Sequence, residues 1–502
     1  MGLSGQDLRL RSRQRRRHGG ARPQDPGRAR LRQSGQVPRQ DAVPAAGGAG
    51  AEAADGGRVR EDQGRLLTTA VERTEVVIVG GGLTGLTAAL ELKRAGVDFL
   101  LLEARDRVGG RVEAILNGLG ERIDSGGQFL CEDMPELMAL ARARGKTFVE
   151  TYVDGDFITH PPMSAAQAER TYVAAMAIRD RLNGIEPDDP AIAGLTVADW
   201  LEHQKDTADA KAAFRSMIEG LWCLALEKVP LWYLIDNDRR ITNEVPELQY
   251  FLRETMQSLA EDLAGDLGDR LRLNEPVTRV EHGPQGVRVT TAGGTIEARQ
   301  ALVAVPPATA AKLDFAPVLP TKLAKALGVW ESGAVVKILV RYRKPFWRDR
   351  YLSGMVMWRD MPGLFACDAS KDAGHAALVV FIGGPLALRC RKLGAAALRA
   401  EVTAKLVDAL GPEAADILDF YQRDWTDDHW SGGGYSDLIV DATARNAERT
   451  ILAGAPPVHF ASSEVSPSFP AYVEGAIVAG RIAAGKILAS LQSAIATRAS
   501  GS

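Results

Sequence analysis

A glycine-rich turn near residue 80 has the residue types and spacing of a dinucleotide-binding site. The run from Gly80 to Gly85 reads Gly-Gly-Gly-Leu-Thr-Gly and fits the pattern G-x-G-x-x-G. In this pattern the first glycine permits a tight turn, the second lets the backbone approach a pyrophosphate, and the third lets a helix pack on a strand. Glu103, at the end of the next apolar run, can accept hydrogen bonds from ribose hydroxyls.

The elements that must hold this turn follow in the required order. Residues 76–79 are apolar and β-branched, which predicts a buried strand. A helical pattern over residues 86–92 ends at Gly96, and residues 97–102 predict a second strand. The free N–H groups at the start of such a helix favour phosphate. This order favours dinucleotide binding over a glycine-rich turn that holds no ligand.

A second glycine pair, Gly109 and Gly110, precedes Arg111. The pair permits another close backbone approach, and the arginine adds a fixed cation. Together they suit a cofactor that lies extended across the domain. The alternative is a surface turn with a solvated arginine.

Lys337 is the one charged residue in the apolar run 335–340. Burial of a lysine is costly unless it is hydrogen-bonded, so a buried Lys337 needs a specific partner. From the residues alone, we favour a lysine on an edge strand that points to solvent, or one paired with a carboxylate.

Several segments resemble those of the flavin-containing amine oxidases. The resemblance begins with residues 103–111, extends over about residues 75–491, and identifies the chain as a member of the flavin monoamine oxidase family. The further similar segments are 124–129, 275–280, 304–307, 344–348, 459–464 and 471–476.

The resemblance implies that the cofactor is FAD. Arg111 would face the pyrophosphate, the Val277 backbone would hold the adenine, and Glu464 would bond the ribityl chain. The Val473 amide would face the pyrimidine oxygen of the flavin. The cofactor-binding residues implied are Gly80, Gly82, Leu83, Thr84, Gly85, Glu103, Ala104, Arg105, Gly110, Arg111, Gly126, Gly127, Gln128, Phe129, Val277, Trp425, Glu464 and Val473.

The resemblance also implies three catalytic residues. Lys337 would hold a water against flavin N5, and Tyr435 and Tyr472 would flank the substrate amine. The implied reaction moves a hydride equivalent from the α-carbon to the flavin. The imine product hydrolyses to an aldehyde or ketone, and O2 becomes H2O2 unless another acceptor is used.

Three positions depart from the family pattern. Gly434 stands where mitochondrial monoamine oxidases have the cysteine linked to the flavin, so we expect noncovalent FAD. Ser462 and Ser463 replace a usual Gly-Thr, which could shift a flavin contact. Glu254 and Thr255 replace a glycine pair, which puts the local turn in doubt.

The predicted fold class is α/β, with a Rossmann-like FAD-binding domain interleaved with an α+β substrate domain. We assign residues 71–150, 246–305 and 420–495 to the FAD-binding domain, and residues 151–245 and 306–419 to the substrate domain. The substrate domain is predicted to contain helices at 195–204 and 210–223 and strands at 335–342 and 376–382.

Composition limits the other possibilities. A chain of 502 residues is too long for one compact core, so two or more domains are expected. Its net charge of -3 gives no reason to expect nucleic acid as a partner. The four cysteines form no C-x-x-C pair, which favours free buried thiols and a cytoplasmic location. No residue cluster has metal-ligand spacing, and no apolar run is long enough to cross a bilayer. A homodimer is possible.

Residues 1–70 contain fourteen arginines and no aromatic residue. We predict that this Arg-rich extension is disordered, because it cannot bury enough apolar surface. A targeting or nucleic-acid-binding arm is an alternative that the interspersed acids disfavour. A misplaced start site, with the native protein beginning shortly before Val71, is another.

Three rival functions stay open. An L-amino acid oxidase needs a cation for the substrate carboxylate, which we cannot place. A polyamine or diamine oxidase needs an acid near the channel mouth, for which Asp236, Asp238 and Glu244 are candidates. A non-catalytic flavin-binding scaffold is the third. The residues Trp222, Trp232 and Tyr233 are predicted to line the substrate channel or to be ordinary core aromatics.

Overall fold

The computed structural model describes residues 71–500, and the extension predicted to be disordered lies outside them. The strands in this part of the chain are β1 (Glu72–Val79), β2 (Phe99–Leu102), β3 (Ala114–Leu116), β4 (Arg122–Asp124), β5 (Phe129–Leu130), β6 (Phe148–Glu150), β7 (Asp156–His160), β8 (Tyr250–Leu252), β9 (Leu271–Arg272), β10 (Val277–Gly283), β11 (Gly286–Thr291), β12 (Gly294–Val303), β13 (Asp314–Ala316), β14 (Trp330–Ser332), β15 (Val335–Tyr342), β16 (Leu352–Trp358), β17 (Leu364–Asp368), β18 (Ala376–Gly383), β19 (Asp419–Asp424), β20 (Asp437–Ile439) and β21 (Val458–Phe460).

The α-helices are α1 (Leu83–Arg94), α2 (Pro135–Ala143), α3 (Ala165–Asn183), α4 (Val197–Glu202), α5 (Ala208–Trp222), α6 (Leu231–Arg239), α7 (Gln257–Gly265), α8 (Pro307–Ala310), α9 (Thr321–Leu327), α10 (Phe346–Asp349), α11 (Pro385–Cys390), α12 (Ala395–Leu410), α13 (Ala447–Ala453) and α14 (Val473–Ser500). Short 3-10 turns lie at Pro190–Ile192, Leu226–Lys228, Gly268–Arg270, Pro412–Ala415 and Ser463–Val465.

An eight-stranded sheet holds the glycine-rich turn. Its strand order is β13-β10-β11-β12-β1-β2-β9, and β21 pairs with the second half of β12. β1 lies between β12 and β2 and is parallel to both. The side chains of its second half are buried in two clusters, Val77 and Val79 in one and Val76 and Ile78 in the other. This doubly covered position explains the continuous apolar run in β1. The predicted α/β class is confirmed.

A six-stranded sheet, in the order β19-β15-β18-β17-β16-β7, carries Lys337. Its pairs are antiparallel except for β16 with β7. β15 is an inner strand between β18 and β19, and all eight of its residues are buried. The structure therefore rules out the edge-strand position considered for Lys337.

The local predictions of helices and strands agree closely with the structure. The strand predicted at 335–342 matches β15, and the one predicted at 376–382 matches β18. The two predicted substrate-domain helices correspond to α4 and α5, and α1 begins within the glycine-rich turn. The second strand is shorter than predicted, because β2 begins at Phe99.

Two short strands were assigned to one domain but pair with a strand of the other. β13 comes from the segment assigned to the substrate domain, yet it pairs with β10 in the eight-stranded sheet. β19 lies almost wholly in a segment assigned to the FAD-binding domain, yet it pairs with β15. Sheet membership follows from which strand edge is free for hydrogen bonding, which short segments do not reveal in sequence. The domain boundaries themselves stay a prediction.

The cysteines Cys131, Cys223, Cys367 and Cys390 are free and buried, as predicted. Within residues 71–500, no helix combines the length and the apolar character needed to cross a bilayer.

Thr255 lies in the turn where, by the resemblance described above, a glycine pair was expected. It is fully buried and has a positive φ of 80°, a region that a β-branched residue rarely adopts. We expect Thr255→Gly to be more stable than Thr255→Ala by about 1 kcal/mol, because only glycine relieves the backbone strain. Denaturant unfolding of both variants measures this difference, and equal midpoints would contradict it.

Candidate active site

A cavity of about 370 Å³ lies at the carboxyl ends of β1, β2 and β12 and extends to residues of β15 and β18. Ligands of open parallel sheets commonly bind at such strand ends. All the predicted cofactor-binding and catalytic residues line this cavity except Gly85 and Glu464. The cavity therefore brings together side chains that lie far apart in the sequence.

The glycine-rich turn joins β1 to α1 with little room for side chains. A Cβ atom at Gly85 would lie 2.0 Å from the Gly80 carbonyl oxygen, so Gly85 packs the helix on the strand and does not face the cavity. At Gly82, by contrast, a Cβ atom would meet no atom within 4 Å. The backbone at Gly82 is thus open to a close-lying ligand, as a pyrophosphate requires.

Glu103 lines the cavity beside this turn. Its carboxylate accepts hydrogen bonds from the Gly81 amide at 2.7 Å and from the Arg105 amide at 2.9 Å. Each carboxylate oxygen has a further lone pair, so these bonds orient Glu103 and leave it able to accept from ribose hydroxyls.

Arg111 and Glu464 form an ion pair at 2.5 Å. Arg111 also donates to the Tyr435 carbonyl at 3.0 Å and to the Ser463 hydroxyl at 3.2 Å. Burial alone would raise the pKa of Glu464, but the charge of Arg111 and its hydrogen bond lower that pKa below its usual value. Glu464 is therefore a buried carboxylate whose main partner is Arg111.

The direct flavin contact predicted for Glu464 stays a prediction. The Glu464 side chain has no exposed surface, whereas Arg111 and Ser463 both line the cavity and both contact its carboxylate. Glu464 thus lies one layer behind the cavity wall. Sequence could place it in the correct segment, but the depth of a side chain depends on the packing around it.

Lys337 projects from β15 into the cavity. Its ammonium donates to the Gly126 carbonyl and to Gln128 Oε1, both at 2.8 Å. Burial lowers the pKa of Lys337 to about 8, and the nearby Asp124 carboxylate opposes part of that shift. The two oxygen partners satisfy the hydrogen-bonding need expected of a buried lysine.

Tyr435 and Tyr472 line the same cavity. Burial raises the pKa of Tyr435 well above its ordinary value, and Tyr472 is close enough to contribute to that rise. Each ring packs edge-on against a phenylalanine: Tyr435 against Phe381, with centroids 5.8 Å apart, and Tyr472 against Phe469, also at 5.8 Å. These contacts limit the rotation of both rings.

Trp425 and the start of α14 complete the wall. The Trp425 indole donates to the Ser125 carbonyl at 2.9 Å, which fixes the ring in the cavity wall. α14 begins at Val473, so the positive end of its dipole meets the cavity. The hydroxyl of Ser462, which also lines the cavity, is buried and has no hydrogen-bond partner among the described residues.

These features fit a flavin dinucleotide. The open backbone at Gly82 suits the pyrophosphate, the acid at Glu103 suits a ribose, and the helix dipole at Val473 suits an electron-rich ring edge. The Ser462 hydroxyl offers a further hydrogen bond. The residues that line the cavity therefore fit the chemistry of FAD.

The cavity also contains residues that sequence reasoning missed. Glu247 and Asn237 are buried and line it, as do Phe381, Leu221 and Leu248. Glu247 lies in an irregular segment between α6 and β8, where no periodic pattern indicates the direction of a side chain. The acids named for the polyamine or diamine alternative lie at other positions.

The three acids proposed from sequence do not line the cavity. Asp238 is buried against Arg179, Asp236 pairs with Arg240, and Glu244 is exposed.

The predicted channel aromatics divide into two groups. Trp222 lines the cavity, whereas Trp232 and Tyr233 do not. Tyr233 packs edge-on against Trp222, Trp232 and Trp330 in the core.

Known proteins resemble this chain in both sequence and fold. Residues 83–488 match the family described as flavin containing amine oxidoreductase, and residues 34–120 match that of pyridine nucleotide-disulphide oxidoreductase. An L-amino acid dehydrogenase of Synechocystis is 25% identical over 454 residues, covering 83% of this chain and 95% of that protein. The flavin-containing amine oxidase B of Sus scrofa is 28% identical over 459 residues, covering 83% and 86%. The structure of cyclohexylamine oxidase from Brevibacterium oxydans superimposes with a TM-score of 0.77 at 25% identity, covering 84% of this chain and 99% of that one.

Proposed function

Because the chain belongs to the family of flavin-containing amine oxidoreductases, and is thus a flavin enzyme that oxidises amines, we propose that it binds FAD noncovalently and converts a small amine to an imine. The imine then takes up water and releases an aldehyde or ketone with ammonia or a smaller amine. O2 accepts the two electrons, and with two protons it becomes H2O2. The observation that supports this proposal is that Lys337, Tyr435 and Tyr472 line one cavity with the glycine-rich turn.

FAD, when bound, supplies the hydride acceptor for the substrate α-carbon and passes the electrons to oxygen. The chain supplies orientation and electrostatics. Tyr435 and Tyr472 present aromatic faces that exclude water and favour an amine between them. Lys337, anchored by Gly126 and Gln128, holds a cation and its protons at a fixed place in the cavity.

The proposed cofactor contacts involve residues that line the cavity or that contact its wall. Gly82, the start of α1 and Arg111 would hold the pyrophosphate, and Glu103 would bind a ribose. Val277 lies in the wall where the adenine is proposed. Val473 and Ser462 would face the flavin end, with Glu464 holding Arg111 in place.

An anaerobic amine panel tests the function. We expect at least one small amine to bleach the yellow colour of the purified holoenzyme, and we expect O2 to restore the colour with release of peroxide. No bleaching by any amine would favour the non-catalytic scaffold. Return of the colour only with an artificial acceptor would show that O2 is not the oxidant.

Acid precipitation tests the noncovalent attachment. Among the described residues, neither a cysteine nor a histidine lines the cavity, and position 434 is glycine. We therefore expect the yellow colour to stay in the supernatant after the protein is precipitated with acid. Colour that remains with the washed pellet would show a covalent bond.

We further infer a cytoplasmic location, because four free buried thiols fit a reducing compartment. Fractionation of the native host followed by immunoblotting tests this. The homodimer stays a prediction, which light scattering of the purified protein would test.

A further inference from the structure

Lys337 forms no ion pair with a described residue, unlike the two arginines that line the cavity, which pair with carboxylates at 2.5 Å. Its ammonium donates to the Gly126 carbonyl and to Gln128 Oε1, which are both neutral oxygens. The carboxylate that favours the charged form of this lysine is that of Asp124. Because a buried ammonium without a counter-charge is costly, Asp124 is the group that can offset that cost.

Asp124 ends β4 and is only 4% exposed. Its Oδ1 accepts a hydrogen bond from the Met256 amide at 2.8 Å. Burial raises the pKa of Asp124 to about 7, and the charge of Lys337 is the largest opposing effect, ahead of Met256, Lys371 and Arg122. The carboxyl group therefore changes its charge near neutral pH, within electrostatic reach of the cavity lysine.

Two other titratable groups near Lys337 offer it no counter-charge. Cys367, on β17, interacts with the lysine, but burial raises the pKa of its thiol well above the ordinary value, so the thiol stays neutral. Arg423 lies opposite Lys337 on β19 and pairs with Glu113 and Asp428, each at 2.8 Å. Both acids are thus held by an arginine.

A second cavity, of about 10 Å³, shares one side chain with the larger one, because Gln128 lines both. Asp124 lines the smaller cavity, together with the half-buried residues Lys371 and His375. Both ring nitrogens of His375 are buried and lack a hydrogen-bond partner among the described residues. Buried polar atoms of this kind usually bind water, and the cavity is about the smallest space that holds one. Asp124 therefore adjoins a polar space suited to water.

We propose that Asp124 is a positioning residue that keeps Lys337 charged during amine oxidation. This inference rests on the proposed function. A carboxylate favours the charged form of a nearby lysine, so Lys337 keeps its proton to a higher pH than its burial alone would allow. The second cavity gives Asp124 contact with water, so its own charge follows the pH of the solvent. Asp124 touches neither the substrate nor the cofactor and acts through the lysine.

Asp124→Asn removes the charge and keeps an oxygen that can accept from the Met256 amide. The oxidised holoenzyme is titrated without amine, and flavin absorbance reports the ionisation of Lys337. The wild-type midpoint is expected near pH 8, and we expect the variant to lower it by at least about 1 pH unit. Lys337→Met should show no such midpoint. An unchanged midpoint in Asp124→Asn would overturn the inference.

Stopped-flow rates give a second readout. At about pH 6, where Lys337 is charged in both proteins, Asp124→Asn should react within about 3-fold of the wild type. Above both midpoints, the step that uses the charge should be about 10-fold slower, because the charged fraction falls 10-fold for each pH unit. A loss of the same size at every pH would indicate a structural role and would contradict the proposal.

Asp349→Asn is the matched control. Asp349 pairs at 2.6 Å with Lys344, and both side chains are more than half exposed. The substitution therefore removes an acid beside a lysine outside the cavity. Its midpoint and rates should equal those of the wild type, and a shift as large as that of Asp124→Asn would overturn the assignment of the effect to Asp124.

Lys371→Met tests the same group from its half-buried side. The charge of Lys371 favours the carboxylate form of Asp124, so its removal should keep Asp124 protonated to a higher pH and lower the Lys337 midpoint. If Asp124 had no role, loss of a nearby cation would leave that midpoint unchanged or raise it, and either result would overturn the inference. This variant decides if Asp124→Asn does not retain FAD.

Failure of the inference is distinguishable from failure of the function. If no amine bleaches the wild-type flavin, the proposed oxidation fails, whereas the titrations need no amine and still decide whether Asp124 sets the charge of Lys337. If amines bleach the flavin and the midpoint does not move in Asp124→Asn, the oxidation stands and the role of Asp124 is overturned.

Discussion

Replacing Lys337 with Met is expected to slow flavin reduction or reoxidation by about 100-fold or more while FAD stays bound. Methionine retains most of the apolar volume, so β15 should keep its packing between β18 and β19. The variant loses the only ammonium group that lines the cavity among the described residues, and with it both hydrogen bonds to Gly126 and Gln128. The rates of flavin reduction or reoxidation should therefore fall much more than the FAD content of the protein.

Stopped-flow absorbance measures the two half-reactions separately. Lys344→Met, an exposed lysine just beyond the end of β15, is the matched control and should behave as wild type. Unchanged rates in Lys337→Met would show that Lys337 has no role in the reaction.

The ionisation of Lys337 adds a pH signature to this experiment. Because burial lowers its pKa to about 8, Lys337 is charged below that pH and neutral above it. The step that uses its charge should slow in the wild type as the pH rises through about 8. That decline should be absent in Lys337→Met, whose remaining pH dependence comes from the amine.

Arg111→Met is expected to abolish FAD binding and to destabilise the fold by about 3–5 kcal/mol. The change leaves Glu464 buried without its cation. Asp437 increases the cost, because burial and the neighbouring Glu464 already raise the pKa of Asp437 to about 6. Thermal unfolding and the FAD content of the purified protein measure the two effects.

The double variant Arg111→Met, Glu464→Gln separates stability from cofactor binding. Removing both charges should recover most of the lost stability, because no uncompensated buried charge remains at that pair. FAD binding should stay weak, because the cation proposed for the pyrophosphate is still missing. A double variant that binds FAD as the wild type does would show that Arg111 only compensates Glu464.

The sequence was most informative where local pattern and burial coincide. β15 has the predicted bounds because a continuous apolar run is what a strand covered on both faces requires. The turn between β1 and α1 could be assigned because its glycines are needed for close backbone approach.

Features set by tertiary packing were beyond sequence reasoning. β13 pairs with β10 and β19 pairs with β15, although the sequence assigned each pair to two different domains. Glu464 lies behind Arg111, and Glu247 faces the cavity from an irregular segment. In each case the deciding factor is a contact between residues far apart in the chain, which no local pattern encodes.

The order of the strands has a consequence for how the enzyme is made. β12 pairs with β1 along one edge and with β21, more than 150 residues later in the chain, along the other. The unit of β1, α1 and β2 can form early during synthesis. The cavity lacks the part of its wall formed by the start of α14 until that helix has left the ribosome. FAD loading must therefore follow translation of nearly the whole chain, so a nascent or C-terminally truncated polypeptide should accumulate as colourless protein.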